Sequence, residues 1–340
     1  MIIYLAAVEN SDVRPALASG DIRHGFSSYF WLRKRQPDSA ANIRVHVKRH
    51  VVDSGAHTFF AGSHVNSGSA QLSAGSPVRN IVSKQEDPDA YFNGYLTWLV
   101  EQEPHYDHFV ELDVGELVGQ DKVREWRKRI VKAGLAPKCI IAYHPALQSI
   151  GSFMEEAKKW PSHYVGLQGL RRGVHYDMLA AVRACYEGGV AAHGFAMVKQ
   201  KYLKVIPYYS VDSTSFKASV IYGCALVAEG GAIHYMRGRP TQSADVRNRI
   251  ARLSISSGIP LDFAQQVRNS FSKDGGVALG EVMATSARAI QQVEDHYSRL
   301  WAARGIRWDE RLADARRLER AGSKKKAVAS PSSRKSPSRT

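Results

Sequence analysis

Eight short apolar runs recur between Ile2 and Val211, and together they constrain the fold more than any other feature of the chain. They are Ile2–Val8, Gly25–Leu32, His46–Val52, His108–Leu112, Cys139–Tyr143, Tyr164–Leu167, Val190–Val198 and Val205–Val211. A parallel strand covered on both faces is apolar along its length instead of alternating. Most of the runs are separated by segments long enough to form a covering helix. Eight such units predict an α/β fold, a closed (β/α)8 barrel of the TIM type.

The connections carry their own signals. Asp87-Pro-Asp opens a helix through Glu103 that puts Tyr91, Tyr95, Leu96 and Leu99 on one face. Val123–Ala133, Phe153–Trp160 and Tyr176–Tyr186 are the next amphipathic segments. Ala61–Pro77 is rich in Gly, Ser and Ala without a hydrophobic period, so a mobile loop is expected over 61–80. After Asp212 the alternation stops. Lys217–Ala228, Ser243–Ser257, Leu261–Ser272 and Glu281–Arg320 predict helices around or beside the barrel, the last anchored by Trp301 and Trp308. Residues 1–320 thus read as one domain. The Ser/Lys/Arg/Pro-rich tail Ala321–Thr340 has almost nothing to bury and is expected to be disordered.

At 340 residues the chain can bury a large core, and its 44% hydrophobic and 23% charged content are those of a soluble globular protein. No apolar run approaches the roughly 20 residues of a membrane span, and Met1–Val8 lacks the basic start of a signal peptide, so a cytoplasmic protein is expected. Cys139, Cys185 and Cys224 are scattered and odd in number, which predicts core thiols. No HExxH pair occurs, and no metal site is expected. Lys and Arg exceed Asp and Glu by 15, and the chain stays basic without the six positive charges of its tail. Such a surface suits a polyanion, most simply nucleic acid; charge kept for solubility is the plainer alternative.

Polar residues follow the apolar runs in order: Asp53-Ser-Gly55, Glu111-Leu-Asp113, Tyr143-His-Pro145, Gly166-Leu-Gln-Gly-Leu170, His193-Gly-Phe195 and Asp212-Ser213. On a barrel they share one rim, where barrel active sites sit. Asp212 could instead cap a following helix. Two strand-end carboxylates, Asp53 and Asp212, suggest divided labour between a nucleophile and an acid or base.

These motifs, with Tyr208-Tyr-Ser-Val-Asp-Ser-Thr-Ser-Phe216 and His50-Val-Val-Asp-Ser-Gly-Ala-His57 the most specific, resemble the tRNA-guanine transglycosylase superfamily. The likeness covers Met1 to Phe216 and is greatest to the phage and bacterial DNA-modifying branch, whose members exchange guanine in DNA for a 7-deazaguanine. The resemblance implies that Asp212 is the nucleophile at C1′ and Asp53 the general acid/base. It implies that Asp113 reads the N1–H and 2-amino group of the purine and that Gly169 offers an N–H to O6. His144 stands where the family has a Gln; Gln168 and Gly194 complete the expected base pocket. Where the family has Phe-Gln, this chain has Ala56-His57-Thr58-Phe59, so stacking on the base falls to His57 or Phe59, unless Phe59 is a core aromatic. The family's Cys-x-Cys-x-x-Cys plus His zinc site is missing, so no cofactor is expected and docking of tRNA is disfavoured.

Asp113 could alternatively pair with a buried Arg or Lys, and Gln168 and His193 could be satisfied core groups. Glu111 is expected to face away from Asp113 or to pair locally. Arg171, Arg172, Lys199, Lys201, Lys204, Arg237 and Arg239 form the expected phosphate track, with a solvated basic face as the alternative. The expected activity is DNA-guanine transglycosylation, a base exchange through a covalent Asp–glycosyl intermediate. Its partners would be DNA and a 7-deazaguanine such as preQ0, with a homodimer left open and no membrane. The same chemistry on tRNA, or an inactive nucleic-acid-binding barrel, are the alternatives. A glycoside hydrolase also uses two carboxylates, but this rim offers few aromatics for a sugar.

Overall fold

The computed structural model describes residues 1–56, 87–168, 177–217, 224–237, 276–315 and 317. Its centre is a closed barrel of parallel strands: β1 (Ile2–Ala6), β2 (His24–Ser28), β3 (Arg49–Asp53), β4 (His108–Val110), β5 (Cys139–Tyr143), β6 (Tyr164–Leu167), β7 (Ala191–Gly194) and β8 (Ser210–Ser213). Neighbours pair in chain order, and β8 closes on β1 with Tyr4 opposite Asp212. The sequence signal for a (β/α)8 barrel is therefore correct.

The described helices are α1 (Arg14–Ala18), α2 (Tyr29–Leu32), α3 (Ser39–Arg44), α4 (Pro88–Glu101), α5 (Gly115–Val118), α6 (Gln120–Lys132), α7 (Ile150–Ala157), α8 (Met178–Gly188), α9 (Gln200–Leu203) and α10 (Gly276–Ala303). Asp87 caps α4 by accepting from Ala90 N at 2.9 Å, and Tyr91, Tyr95 and Leu99 are buried as their spacing requires. Two of these tyrosines tie the helix to strand ends. Tyr91 Oη donates to Ser54 O at 2.6 Å and Tyr95 Oη to Val110 O at 2.9 Å. Among the described residues no helix is long and apolar enough to cross a membrane.

Several expectations about the elements need correction. The run Gly25–Leu32 is strand only as far as Ser28, and Tyr29–Leu32 is helical. The run Val205–Val211 is not itself the last strand, which begins only at Ser210. Pro207 has no N–H for a ladder, and Val205 is exposed. The helix expected over Lys217–Ala228 is replaced from Cys224 onward by a strand, β9 (Cys224–Glu229), paired antiparallel with β10 (Ala232–Arg237). Gly230 and Gly231 turn the corner at φ 54° and 79°, the two left-handed positions of a tight hairpin. The long helix expected over Glu281–Arg320 ends at Ala303; Gly305 breaks it at φ 82°, and helix resumes over 308–315. Ser243–Ser257, Leu261–Ser272, the 61–80 loop and the tail lie outside the described residues.

Helix α10 takes the place of the barrel's eighth helix. It starts beside Pro15, descends along α1, and reaches the N-terminal end of β1, where Ser298 Oγ donates to Met1 O at 2.9 Å. Glu294 accepts from Ile3 N at 2.7 Å and pairs with Arg23 at 2.9 Å. The expected anchors hold: Trp301 Nε1 donates to Leu203 O and Trp308 Nε1 to Pro207 O, at 3.2 and 2.8 Å. All three cysteines are buried free thiols.

Candidate active site at the barrel mouth

Which side chains point into the barrel follows from contacts between strands that are not neighbours. Phe26 on β2 stacks on His193 on β7, with centroids 5.5 Å apart and planes 6° from parallel. Tyr4 on β1 lies 6.1 Å from the same imidazole. Such contacts can only cross the lumen. Residues paired in register share a face, and faces alternate along a strand. From Phe26 the inward set includes Ser28 and its partner Asp53; from Tyr4 it includes Asp212. Alternation from His193 and its partner Gly166 likewise turns Gln168 inward. Asp53 ends β3 and Asp212 is the last residue but one of β8, both at the C-terminal mouth.

Asp53 is held by its own loop. Gly55 N donates to Asp53 Oδ2 at 2.8 Å. Gly55 has φ 78°, and a Cβ there would come within 2.5 Å of Phe30 Cβ and 2.9 Å of Ser28 Oγ, so only glycine fits. Burial pushes the Asp53 carboxyl up to about 7; the Gly55 N–H opposes this, while the charges of Asp212 and Asp113 add to it.

That shift has a stability consequence. The unfolded carboxyl titrates near its ordinary value of about 3.9, so between there and about 7 the folded state holds the extra proton. Stability therefore falls as pH rises through this window. Asp53→Asn should be more stable than the parent at pH 8, by up to about 4 kcal/mol, and gain nothing through this linkage at pH 3. Paired urea titrations check this; an equal gain at both values would show that the carboxyl is not held in this state.

Among the described residues Asp212 takes two contacts, both on Oδ1: Ala196 N donates at 2.7 Å and His193 Nε2 lies at 3.3 Å. Ala196 reaches this geometry at φ 56°, a left-handed backbone that a non-glycine residue seldom adopts. The alternative role of Asp212 as a helix cap has no hydrogen bond behind it among the described residues.

Asp113, His144 and Gln168 come together as a third group. Asp113 Oδ1 meets His144 Nε2 at 2.9 Å and accepts from Gln168 Nε2 at 3.1 Å; Gln168 Nε2 is also 3.2 Å from His144 Nδ1. Burial works against a charged His144, but the hydrogen bond and charge of Asp113 outweigh it and raise its pKa. A carboxylate that takes a buried arginine is Glu111. Arg127 grips it at 2.6 and 2.7 Å, and it accepts from Ala142 N at 2.7 Å, so it pairs locally as expected.

Gly194 is buried, and a Cβ there would come within 2.7 Å of the Tyr208 ring, so packing accounts for this glycine. Lys199 and Lys201 are exposed on the β7–β8 connection. Lys204 is a correction: its carbonyl accepts from Arg304 at 3.3 Å beside the C-terminal end of α10, at the N-terminal face and away from the mouth. Arg237 is described only in its backbone; His57, Phe59, Gly169, Arg171, Arg172 and Arg239 lie outside the described residues.

Sequence reasoning missed several mouth residues. Glu9 follows β1, is 6% exposed, and has one carboxylate oxygen without a hydrogen-bond partner among the described residues; burial lifts it to about 7 against N–H groups of its own residue and of Ser28. Arg33, Lys34 and Arg35 leave the mouth directly after α2, with Arg33 over Tyr91 at 4.7 Å and Lys34 over Phe30 at 4.2 Å. The basic run Arg33-Lys-Arg35 next to Tyr29-Phe-Trp31 was the available signal. Among the described residues no group of three or more His, Cys, Asp and Glu side chains is arranged to hold a metal ion. No protein-family model matches the chain, and comparison with curated proteins and with solved structures found no match.

Proposed function

We propose that the chain is a nucleic-acid guanine transglycosylase acting on DNA, exchanging guanine for a 7-deazaguanine base. One observation carries the reading: two inward carboxyls share the mouth, and Asp53 is lifted to about 7 by burial with the charge of Asp212 contributing. Neighbouring acids whose environments differ in this way divide naturally into a proton donor and a nucleophile.

Asp212 Oδ2 attacks C1′ of the target nucleotide, since both contacts of this carboxylate fall on Oδ1. The C1′–N9 bond breaks, its electron pair goes to N9, and protonated Asp53 supplies the proton that lets guanine leave neutral. The incoming base then gives its N9 proton to Asp53 and its lone pair to C1′, releasing Asp212. Two displacements retain the configuration, and Asp53 ends as it began. Asp113, steadied by His144 and Gln168, suits a purine edge that presents adjacent N–H donors. The target base must leave its stack to reach this depth.

Incubation with labelled 7-deazaguanine and either duplex DNA or tRNA, followed by digestion to nucleosides, tests the reading. Label in DNA nucleosides supports it; label only in the RNA digest moves the substrate to tRNA; no label in either, with salt-sensitive binding retained, leaves an inactive binding barrel. Exposed basic residues give a further expected result. Replacing Lys34, Lys199 and Lys201 with Ala should weaken DNA binding and lower the slope of log K against log salt by about 0.9 for each phosphate no longer neutralised. An unchanged slope would remove them from the interface.

A further inference from the structure

Below Asp212 the barrel lumen is polar where a barrel core is usually filled by aliphatic side chains. His193 Nδ1 is 2.8 Å from Ser210 Oγ, and Ser210 Oγ is 2.5 Å from Tyr164 Oη. The other end of the line is Asp212, whose Oδ1 lies 3.3 Å from His193 Nε2. Tyr164, His193 and Ser210 are all buried, so none of these groups exchanges its partner for bulk water. The line runs from Tyr164 at the start of β6 through Ser210 and His193 to Asp212 in β8.

One end of this line is chemically fixed. A carboxylate has acceptors and no donor. His193 Nε2, 3.3 Å from Asp212 Oδ1, must therefore donate. In the neutral imidazole Nδ1 is then the acceptor, so Ser210 donates to it and, its one proton spent, accepts from Tyr164. We propose that this buried chain is polarised in one direction and fixes His193 as the Nε2–H tautomer, making His193 a positioning residue for the Asp212 carboxylate. The stacked Phe26 and the edge-on Phe195, 4.9 Å away, hold the ring in plane for both links. Aligned hydrogen bonds in a low-dielectric interior reinforce one another, so the donor at Asp212 is set in part by the Tyr164 hydroxyl at the far end of the line.

The catalytic meaning of this arrangement rests on the function proposed above, but its first test does not. Full-length protein labelled with 15N-histidine is measured at pH 8 by two-bond proton–nitrogen correlation, with the His193 signals identified by their loss in His193→Gln. A protonated Nε2 and an unprotonated Nδ1 are expected; a protonated Nδ1 would overturn the proposal. In Tyr164→Phe the preference for Nε2–H should weaken to a mixture, and an unchanged spectrum would show that the chain does not set the tautomer. Kinetics supply the second readout. Tyr164→Phe should lower kcat for base exchange about tenfold with KM little changed. His193→Gln, whose amide can accept from Ser210 and donate to Asp212, should keep more activity than His193→Phe. Equal activity of those two variants would overturn the positioning role. Absence of exchange in the parent protein would instead overturn the function and leave the tautomer result standing.

Discussion

Asp212→Asn should lose base exchange by about 10³-fold or more and form no glycosyl–enzyme adduct, while folding as the parent does. The amide keeps the shape of the carboxylate, and its oxygen can still accept from Ala196 N, so the loop that follows β7 stays in place. What it lacks is an anionic oxygen able to bond to C1′. The readout is single-turnover incorporation of labelled base, with denaturing electrophoresis of protein and nucleic acid to detect the trapped adduct. Exchange at the parent rate would end the assignment of Asp212 as nucleophile. In the parent, adduct formation should also fall as pH rises through about 7, because the departing guanine needs the proton on Asp53. Activity rising steadily through that range would remove Asp53 as the donor.

Arg127→Met carries the largest expected effect on stability, a loss of about 3–5 kcal/mol. Arg127 and Glu111 are each 4% exposed in their side chains, and the guanidinium also reaches Glu156 at 2.7 Å. Removing the cation leaves Glu111 buried without its counter-charge, and that carboxylate cannot turn away to water because it also holds Ala142 N on β5. Replacing Glu111 and Arg127 together, by Gln and Met, should recover much of the loss, since no isolated charge is then buried. Urea denaturation of the single and double variants measures both. A single variant within 1 kcal/mol of the parent, as for an exposed ion pair, would contradict the account.

Parts of this architecture were legible from residues alone, for a definite reason. Strands sandwiched between a filled lumen and a helix layer have no polar face, so Cys139–Tyr143 and Tyr164–Leu167 appear in the sequence with the bounds they have in the structure. Strand-end acids were legible because an apolar run that stops at Asp53 or Asp212 announces its own rim. The hairpin was missed through attention to helical spacing: Glu229-Gly-Gly-Ala232 between two short apolar runs is a turn signal that outweighs it. The grouping of Asp113, His144 and Gln168 needs β5 and β6 to lie side by side in a known register, which a linear pattern does not supply. The polar line through the lumen was hidden differently. Tyr164 and Ser210 sit within or at the edges of apolar runs, and nothing in their spacing separates an inward hydroxyl from an outward one.

The seam between β1 and β8 is covered by α10, which clasps Ile3, Arg23 and Met1 at its lower end. The first strand therefore cannot be sheltered on its outer face until residues 276–303 have left the ribosome. For most of synthesis the nascent chain holds an apolar edge with nothing to lean on. Assembly is tied to a late, long-range closure, the kind of topology that folds slowly and calls on chaperones during translation.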